Sequence, residues 1–205
     1  MILTAKFFEL LPVETGSSAY GNWKRQNIVV LTKDTYPKKV VLTIWNDLLD
    51  ISDLIIGSDY DFDLKIESHL YNGNYYSKLL LKENPSTVKN ILRSWVSGIK
   101  PLKTNAKIVE FLPEKVGETW SKKEIIFEPL TLGDKRFCVS FVNNKIDITD
   151  FSIGDVVSLE LLVESRNFSQ NWITEIKAWK IELVEKGLID NTQKFDDSNP
   201  ENWPF

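Results

Sequence analysis

The sequence predicts an all-β chain of two tandem five-stranded Greek-key barrels, joined by a short helix and followed by an acidic tail. Three observations lead to this prediction. Residues that favour strands (Ile, Val, Phe, Trp and Tyr) are plentiful, whereas Ala and Met are scarce. The chain contains an internal repeat, and each copy has five segments with the alternating pattern of strands. Each copy of roughly 80 residues has the length of a small closed barrel.

The repeat is visible as one long match at constant spacing. IGSDYDFDLKIESHLYNGNYYSKLLLK aligns with IGDVVSLELLVESRNFSQNWITEIKAW at an offset of 97, which also places Trp23 on Trp120. Further upstream, ELLP at 9–12 matches EFLP at 110–113 at an offset of 101. The second copy therefore lacks about four residues in its first turn. We place the first repeat at 1–83 and the second at 102–185.

Turn residues divide each repeat into five predicted strands. Tyr36-Pro37 and Leu132-Gly133 mark the turn between strands two and three, and Asn72-Gly73 is a tight hairpin signal between strands four and five. Five such strands make the OB-fold the best candidate. The predicted strands are 2–11, 23–33, 38–46, 58–68 and 75–83 in the first repeat, and 103–112, 120–130, 135–143, 155–165 and 172–183 in the second.

Alternation assigns the side chains of each strand to two faces. In strand three, Val40, Leu42 and Ile44 point inward, whereas Val41 and Trp45 point outward. In strand five, Tyr76, Lys78 and Lys82 point outward. Strand three of the second repeat places Cys138 and Ser140 outward, so we expect Cys138 to be partly exposed and chemically inert.

The connector at 84–101 has the pattern of a short helix. Ser86 is suited to the N-cap, whereas Gly98 and Pro101 are helix terminators. Between them, apolar residues recur on one helical face: Val88, Ile91, Leu92, Trp95 and Val96. We expect this face to pack on a barrel, with a subunit interface as the alternative.

Composition narrows the functional class. The single cysteine excludes an internal disulfide and fits a reducing cytoplasm. One histidine and one cysteine leave little for a zinc site, and we predict neither a metal nor a cofactor. No apolar run approaches the roughly 18 residues of a membrane span, and we expect no signal peptide. A phosphate-binding glycine loop, a nucleophile elbow and a histidine triad are all missing from the sequence, so we predict a protein that is not an enzyme.

Binding of single-stranded nucleic acid requires cations near the phosphates and flat rings on which bases stack. The outer face of strands two, three and five offers both in each repeat. A structural role stays open for each residue, because strand lysines often only solvate a surface and tryptophans usually pack in cores. The candidate DNA-binding residues are Trp23, Lys24, Arg25, Tyr36, Lys38, Lys39 and Trp45 in the first repeat, and Trp120, Lys122, Lys123, Lys135, Arg136, Arg166, Lys177 and Trp179 in the second.

The C-terminal segment at 186–205 is an acidic tail that ends DDSNPENWPF. An aromatic tip after an acidic lead suits a pocket with a basic rim on another protein. A solvated tail is the alternative. The ending resembles the C-terminal tip of bacterial single-stranded-DNA-binding proteins. The candidate partner-binding residues are Asp196, Asp197, Glu201, Trp203, Pro204 and Phe205.

Longer segments resemble a bacterial family of uncharacterised OB-fold proteins. GSSAYGNWKRQ and KDTYPKKVVLTIWND carry the resemblance in the first repeat, and ESRNFSQNWITEIKAWKIE carries it in the second. The chain departs from the family pattern at Leu132-Gly133-Asp134, where Tyr-Pro would fall, and at Leu81-Lys82, where Ala-Trp would fall. The resemblance implies the OB-fold and suggests single-strand binding. The tandem arrangement suggests a homodimer that presents four barrels.

The leading hypothesis is a cytoplasmic single-stranded-DNA-binding protein without sequence preference, which recruits replication, repair and recombination proteins through its tail. A net charge of −4 argues against a uniformly basic surface but leaves a local one possible. A protein–protein adaptor or assembly module is the alternative, and RNA is a second possible ligand. Internal ion pairs at Lys38, Lys39, Arg136 and Lys177 would favour the adaptor.

Overall fold

The computed structural model describes residues 1–46, 50–87, 101–169 and 171–187. The regular elements of these residues are all strands, so the predicted all-β class is confirmed. No helix in these ranges is long and apolar enough to cross a membrane. The strands are β1 (Ile2–Leu10), β2 (Glu14–Ser18), β3 (Gly21–Thr32), β4 (Lys39–Trp45), β5 (Asp59–Tyr71), β6 (Asn74–Leu81), β7 (Ser86–Thr87), β8 (Leu102–Phe111), β9 (Lys115–Val116), β10 (Ser121–Pro129), β11 (Phe137–Val142), β12 (Val156–Phe168) and β13 (Asn171–Glu185).

In each repeat, the hydrogen-bonded ladders join five strands into a closed circuit, which we call a ring. In the first repeat, β1 pairs with β3 and β5, β3 pairs with β4, and β6 joins β5 to β4, the last contact being parallel. In the second repeat, β8, β10, β11, β13 and β12 are joined in the same way. Inward-facing apolar side chains fill each ring, with Phe62 and Leu42 in one and Phe127 and Phe137 in the other.

A long hairpin extends from each ring. The β5–β6 turn is formed by Asn72 and Gly73, whose φ angles of 47° and 73° match the tight hairpin predicted from their sequence. Residues 66–78 form the outer part of this hairpin, which we call the first arm. Residues 163–175 form the second arm at the corresponding place in β12 and β13, with residue 170 outside the described ranges.

The two arms join the repeats around a pseudo-two-fold axis. Ser77 of β6 pairs with Thr174 of β13, and these two residues occupy equivalent positions in the repeats. Because equivalent residues meet each other, the axis passes between them, as in an isologous interface. The contact also links the two rings into one continuous sheet, which has thirteen strands within the described residues.

Two serine hydroxyls repeat the same contact on both sides of this axis. The backbone N–H of Val41 donates to Ser165 Oγ over 3.0 Å, and that of Cys138 donates to Ser68 Oγ over 2.9 Å. Each serine hydroxyl also bonds within its own arm, to the hydroxyl of Thr174 or Ser77. Each of these backbone N–H groups thus finds its hydrogen-bond acceptor in the arm of the other repeat.

The arms explain why one prediction was wrong. Cys138 lies on the outer face of its strand as expected, but it is buried rather than partly exposed. Val41 is buried at the equivalent position. The pattern of one repeat assigns these positions to solvent, whereas the arm of the other repeat covers them.

The start of the connector also differs from its prediction. Ser86 is not a helix N-cap, because Ser86 and Thr87 form β7, which pairs with Asp61 and Tyr60 at the edge of β5. An unpaired strand edge has free N–H and C=O groups that a short extended segment satisfies. The rest of the predicted helix, residues 88–100, lies outside the described residues, and the predicted domain boundaries stay predictions.

Replacing Ser165 by Ala will destabilise the junction between the repeats. The variant leaves the Val41 N–H buried without an acceptor, which costs about 1–3 kcal/mol. Urea unfolding followed by tryptophan fluorescence measures this loss. Ser17→Ala, in an exposed hydrogen bond of β2, is the matched control and should change the free energy of unfolding by less than about 0.5 kcal/mol. Equal effects of the two substitutions would contradict the role assigned to Ser165.

Candidate nucleic-acid interface

Aromatic and cationic side chains meet on the outer face of the first repeat. Trp23 on β3 packs edge-on against Trp45 on β4, with ring centroids 5.9 Å apart. The guanidinium carbon of Arg25 lies 6.0 Å from the Trp45 ring, and the ammonium of Lys78 on β6 lies 5.9 Å from it. With Tyr76, two residues from Lys78 on the same face of β6, these residues form what we call the aromatic–cationic cluster.

Further rings continue this cluster along the first arm. His69 stacks on Tyr76 with centroids 5.9 Å apart, and Tyr71 meets Tyr76 at 6.3 Å. Tyr71 is 62% exposed and Tyr76 is 37% exposed, so both rings are partly accessible to a ligand. Burial, followed by the charge of Lys78, lowers the pKa of His69. A neutral imidazole offers a ring for stacking rather than a cation for phosphate.

A glycine fixes the first ring of the cluster. Gly16 on β2 pairs with Trp23 on β3, and the indole lies so close that a Cβ at residue 16 would overlap it. Gly117 and Trp120 repeat this arrangement in the second repeat. In both repeats the indole of the tryptophan therefore packs directly against the backbone of a glycine.

Lys78 differs electrostatically from the other cations of the site. Among the described residues no carboxylate forms an ion pair with it, whereas Arg25 is paired with Glu14. Burial, followed by the charge of Arg25, lowers the pKa of Lys78. A half-buried ammonium without a carboxylate partner gains more from an approaching anion than a paired, exposed one does.

The cations predicted in the second repeat are paired with carboxylates. Lys122 and Lys115 both contact Glu124, at 2.8 and 3.1 Å. Burial opposes the ionisation of Glu124, but the hydrogen bonds from these two lysines outweigh it, and the pKa of Glu124 is lowered. The other pairs are Lys123–Glu114 at 3.8 Å, Lys135–Glu67 at 3.3 Å, Arg136–Glu128 at 3.3 Å, Arg166–Glu164 at 3.2 Å and Lys177–Glu175 at 2.9 Å.

A groove between the repeats collects four other predicted residues. Tyr36 and Lys38 reach it from the first repeat, and Lys177 and Trp179 reach it from the second. Its volume is about 710 Å³, and Tyr36 and Trp179 are 79% and 51% exposed. Lys38 lies 4.0 Å from Glu164 across this groove.

The remaining predicted residues have other surroundings. The ammonium of Lys39 lies 4.9 Å above the Phe8 ring, and Trp120 is 48% exposed on the second repeat. Lys24 is engaged with the surrounding protein. The predicted tail residues, Asp196, Asp197, Glu201, Trp203, Pro204 and Phe205, lie outside the described residues.

The candidate residues named from the sequence omitted Tyr76, Lys78, His69 and Tyr71. Alternation placed Tyr76 and Lys78 on the outer face of strand five, which was the available signal. Their importance depends on their neighbours in β4 and β5, which only the pairing of the strands brings beside them.

The fold is similar to that of known binding proteins. A crystal structure of a deletion mutant of the single-stranded DNA binding protein from Thermus aquaticus matches with a TM-score of 0.54 at 7% identity, over 93% of this chain and 96% of that chain. At this identity the likeness shows the fold alone, an all-β architecture like that of the OB-fold single-strand binders. The predicted resemblance to such proteins is confirmed.

The family follows from the sequence profile described as Domain of unknown function (DUF3127), which matches residues 3–81 and again residues 103–182. The chain therefore belongs to this family and carries its domain twice. No curated protein sequence is significantly similar.

Two further structures match at TM-scores too low to support an argument. One is a Replication Protein A heterotrimer bound to single-stranded DNA, with a TM-score of 0.34 and 12% identity over 93% of this chain and 49% of that chain. The other is a murine DNA binding protein bound with double-stranded DNA, with a TM-score of 0.29 and 12% identity over 90% of this chain and 99% of that chain.

Cys138 will resist alkylation in the native protein. Burial, followed by the charge of Glu124, raises the pKa of this thiol to about 12, and alkylation requires the thiolate. Iodoacetamide at pH 8–9 should therefore label the folded chain far more slowly than the urea-unfolded chain, whose thiol has an ordinary pKa of about 8.5. Mass spectrometry measures the labelled fraction. Equal labelling rates in the two states would show that the first arm does not cover Cys138.

Proposed function

We propose that this chain is a single-stranded-DNA-binding protein without sequence preference. The observation that carries the proposal is the aromatic–cationic cluster on the outer face of the first repeat. Bases would stack on Trp23, Trp45 and Tyr76, while Arg25 and Lys78 meet the phosphates. We infer further that each ring is an OB-fold barrel, and that DNA crosses strands β3, β4 and β6.

The geometry of the cluster favours unpaired bases. Its rings lie on a sheet and are held by neighbouring side chains, so a base must leave its own stack and present a flat face to reach them. The bases of a duplex are stacked on each other and do not offer that face. Stacking accepts every base, which is why we propose binding without sequence preference.

We also propose a cytoplasmic location and protein partners for this chain. A chain with one buried thiol suits the cytoplasm. The acidic tail with its aromatic end would recruit replication or repair proteins, and a homodimer would present four barrels. We propose a binding protein and not an enzyme, since stacking rings and phosphate-binding cations perform no bond chemistry.

The ion pairs of the second repeat favour a second candidate, a protein–protein adaptor. Arg136, Lys177 and Lys38 all lie next to carboxylates, at 3.3, 2.9 and 4.0 Å. A surface of mixed charges with exposed Tyr36 and Trp179 is suited to a polypeptide. The two candidates differ in their ligand, so direct titration distinguishes them.

Titration with oligo(dT) tests the leading proposal. Binding should quench tryptophan fluorescence and weaken as salt rises, because phosphate contacts release counterions. Trp45→Ala should weaken binding by about 10-fold or more, since stacking contributes about 1–3 kcal/mol per base. Log K falls as log salt rises, and Lys78→Gln should make this slope less steep by about 0.7. No binding at 50 mM salt would overturn the proposal and favour the adaptor.

Removing residues 203–205 tests the tail separately. The shortened chain lacks the aromatic tip but keeps the cluster, so its affinity for oligo(dT) should be unchanged or higher. Capture of replication or repair proteins on the DNA-bound chain should be lost. Pull-down followed by mass spectrometry compares the two forms. Unchanged capture would show that the tip is not the recruiting segment.

A further inference from the structure

The two repeats share a backbone register but differ at the positions that form the cluster. In the first repeat Arg25 faces Trp45 across the β3–β4 ladder, and in the second Lys122 faces Val142 at the same place. Val142 therefore stands where a stacking ring would be. Across the β5–β6 ladder Glu67 faces Lys78, whereas Glu164 faces Glu175 in the second repeat.

The second repeat has also lost the rings of its arm. Ile173 occupies the position of Tyr76, and Arg166 occupies that of His69. Trp120 and Phe168 remain at the two ends of the series. Between them, Val142 and Ile173 occupy the positions of Trp45 and Tyr76 and provide no aromatic ring. A strand that stacks base after base therefore has a continuous path on the first repeat only.

The cations on this face of the second repeat are paired with carboxylates that the first repeat lacks. Glu175 takes the place of Lys78 and holds Lys177 at 2.9 Å. Glu124 takes the place of Asn27 and holds Lys115 and Lys122. The cations of this face already have carboxylate partners, so a phosphate must displace them.

Across the pseudo-two-fold axis, the second repeat assists the first. Glu67 is the cross-strand neighbour of Lys78, yet its carboxylate pairs with Lys65 at 3.1 Å and with Lys135 of the second repeat at 3.3 Å. Lys65 and Lys135 thus occupy both oxygens of the carboxylate that faces Lys78 across the ladder. At the equivalent contact on the other side of the axis, Lys38 approaches Glu164. There, however, Glu175 takes the place of Lys78, so no cation faces that carboxylate across the ladder.

We propose that each chain binds single-stranded DNA on one face only, that of the first repeat, and that Lys135 of the second repeat is a positioning residue that keeps Lys78 free for phosphate. This inference rests on the proposed function and assigns the two repeats different roles. The second repeat does not bind DNA on the equivalent face; its β10–β11 loop, which carries Lys135, supports the site of the first.

Matched substitutions at equivalent positions test the single face. A short oligo(dT) of about eight nucleotides, within the usual range for one OB-fold, is titrated and counted by native mass spectrometry. We expect one oligonucleotide per chain. Trp45→Ala and Lys78→Gln should weaken binding by about 10-fold, whereas Val142→Ala and Glu175→Gln should change it by less than about twofold.

The outcomes separate this inference from the proposed function. Two oligonucleotides per chain of equal affinity, or equal losses from both members of each pair, would overturn the single face while leaving DNA binding intact. If the native chain binds no oligonucleotide, the proposed function fails and this inference fails with it. Thermal unfolding of each variant shows whether a loss of binding reflects a loss of fold.

A double-mutant cycle tests the positioning role of Lys135. Lys135→Ala should weaken oligo(dT) binding several-fold, because Glu67 then keeps only Lys65 as a partner and its second oxygen can turn towards Lys78. Adding Glu67→Gln should restore the affinity, and Lys135→Arg alone should retain it. If Lys135 instead contacted DNA directly, Glu67→Gln would not restore binding in the Lys135→Ala background, and the positioning role would be wrong.

Discussion

The contact between the two arms is the constraint on which the rest of the structure depends. Ser77 and Thr174 pair on the axis, and the hydroxyls of Ser68 and Ser165 accept backbone N–H groups from the opposite ring. A strand edge left open in one repeat is thereby closed by the other. Because equivalent residues make equivalent bonds, two copies of one domain in a single chain associate as an isologous dimer would.

Symmetry of the backbone does not extend to the side chains that face solvent. The ladders place residues at matching positions in both repeats, but Trp45 and Lys78 are replaced by Val142 and Glu175. The interface needs both copies to keep its serines, whereas nothing in the interface requires both copies to keep the cluster. Duplication thus allows the solvent-facing surfaces of the two repeats to diverge and take different roles.

The sequence was sufficient for much of the fold because its signals are local. Alternating apolar residues predicted the strands, and Asn72-Gly73 predicted the hairpin whose turn has the expected positive φ angles. The state of Lys78 could not be predicted, since it depends on Glu67 being held by Lys135, which is remote in sequence. The burial of Cys138 and the pairing of Ser86 in β7 likewise depend on segments distant along the chain.

The negative net charge of the chain is compatible with an anionic ligand because its charges are compensated locally. Screening limits an exposed charge to a range of about 10 Å, so a phosphate at the cluster would respond mainly to Arg25 and Lys78. The two cations are not equivalent for that phosphate. Arg25 must exchange Glu14 for it, so the net gain is small, whereas Lys78 has no carboxylate ion pair among the described residues to give up. Of these two cations, Lys78 should therefore make the larger electrostatic contribution to the proposed binding.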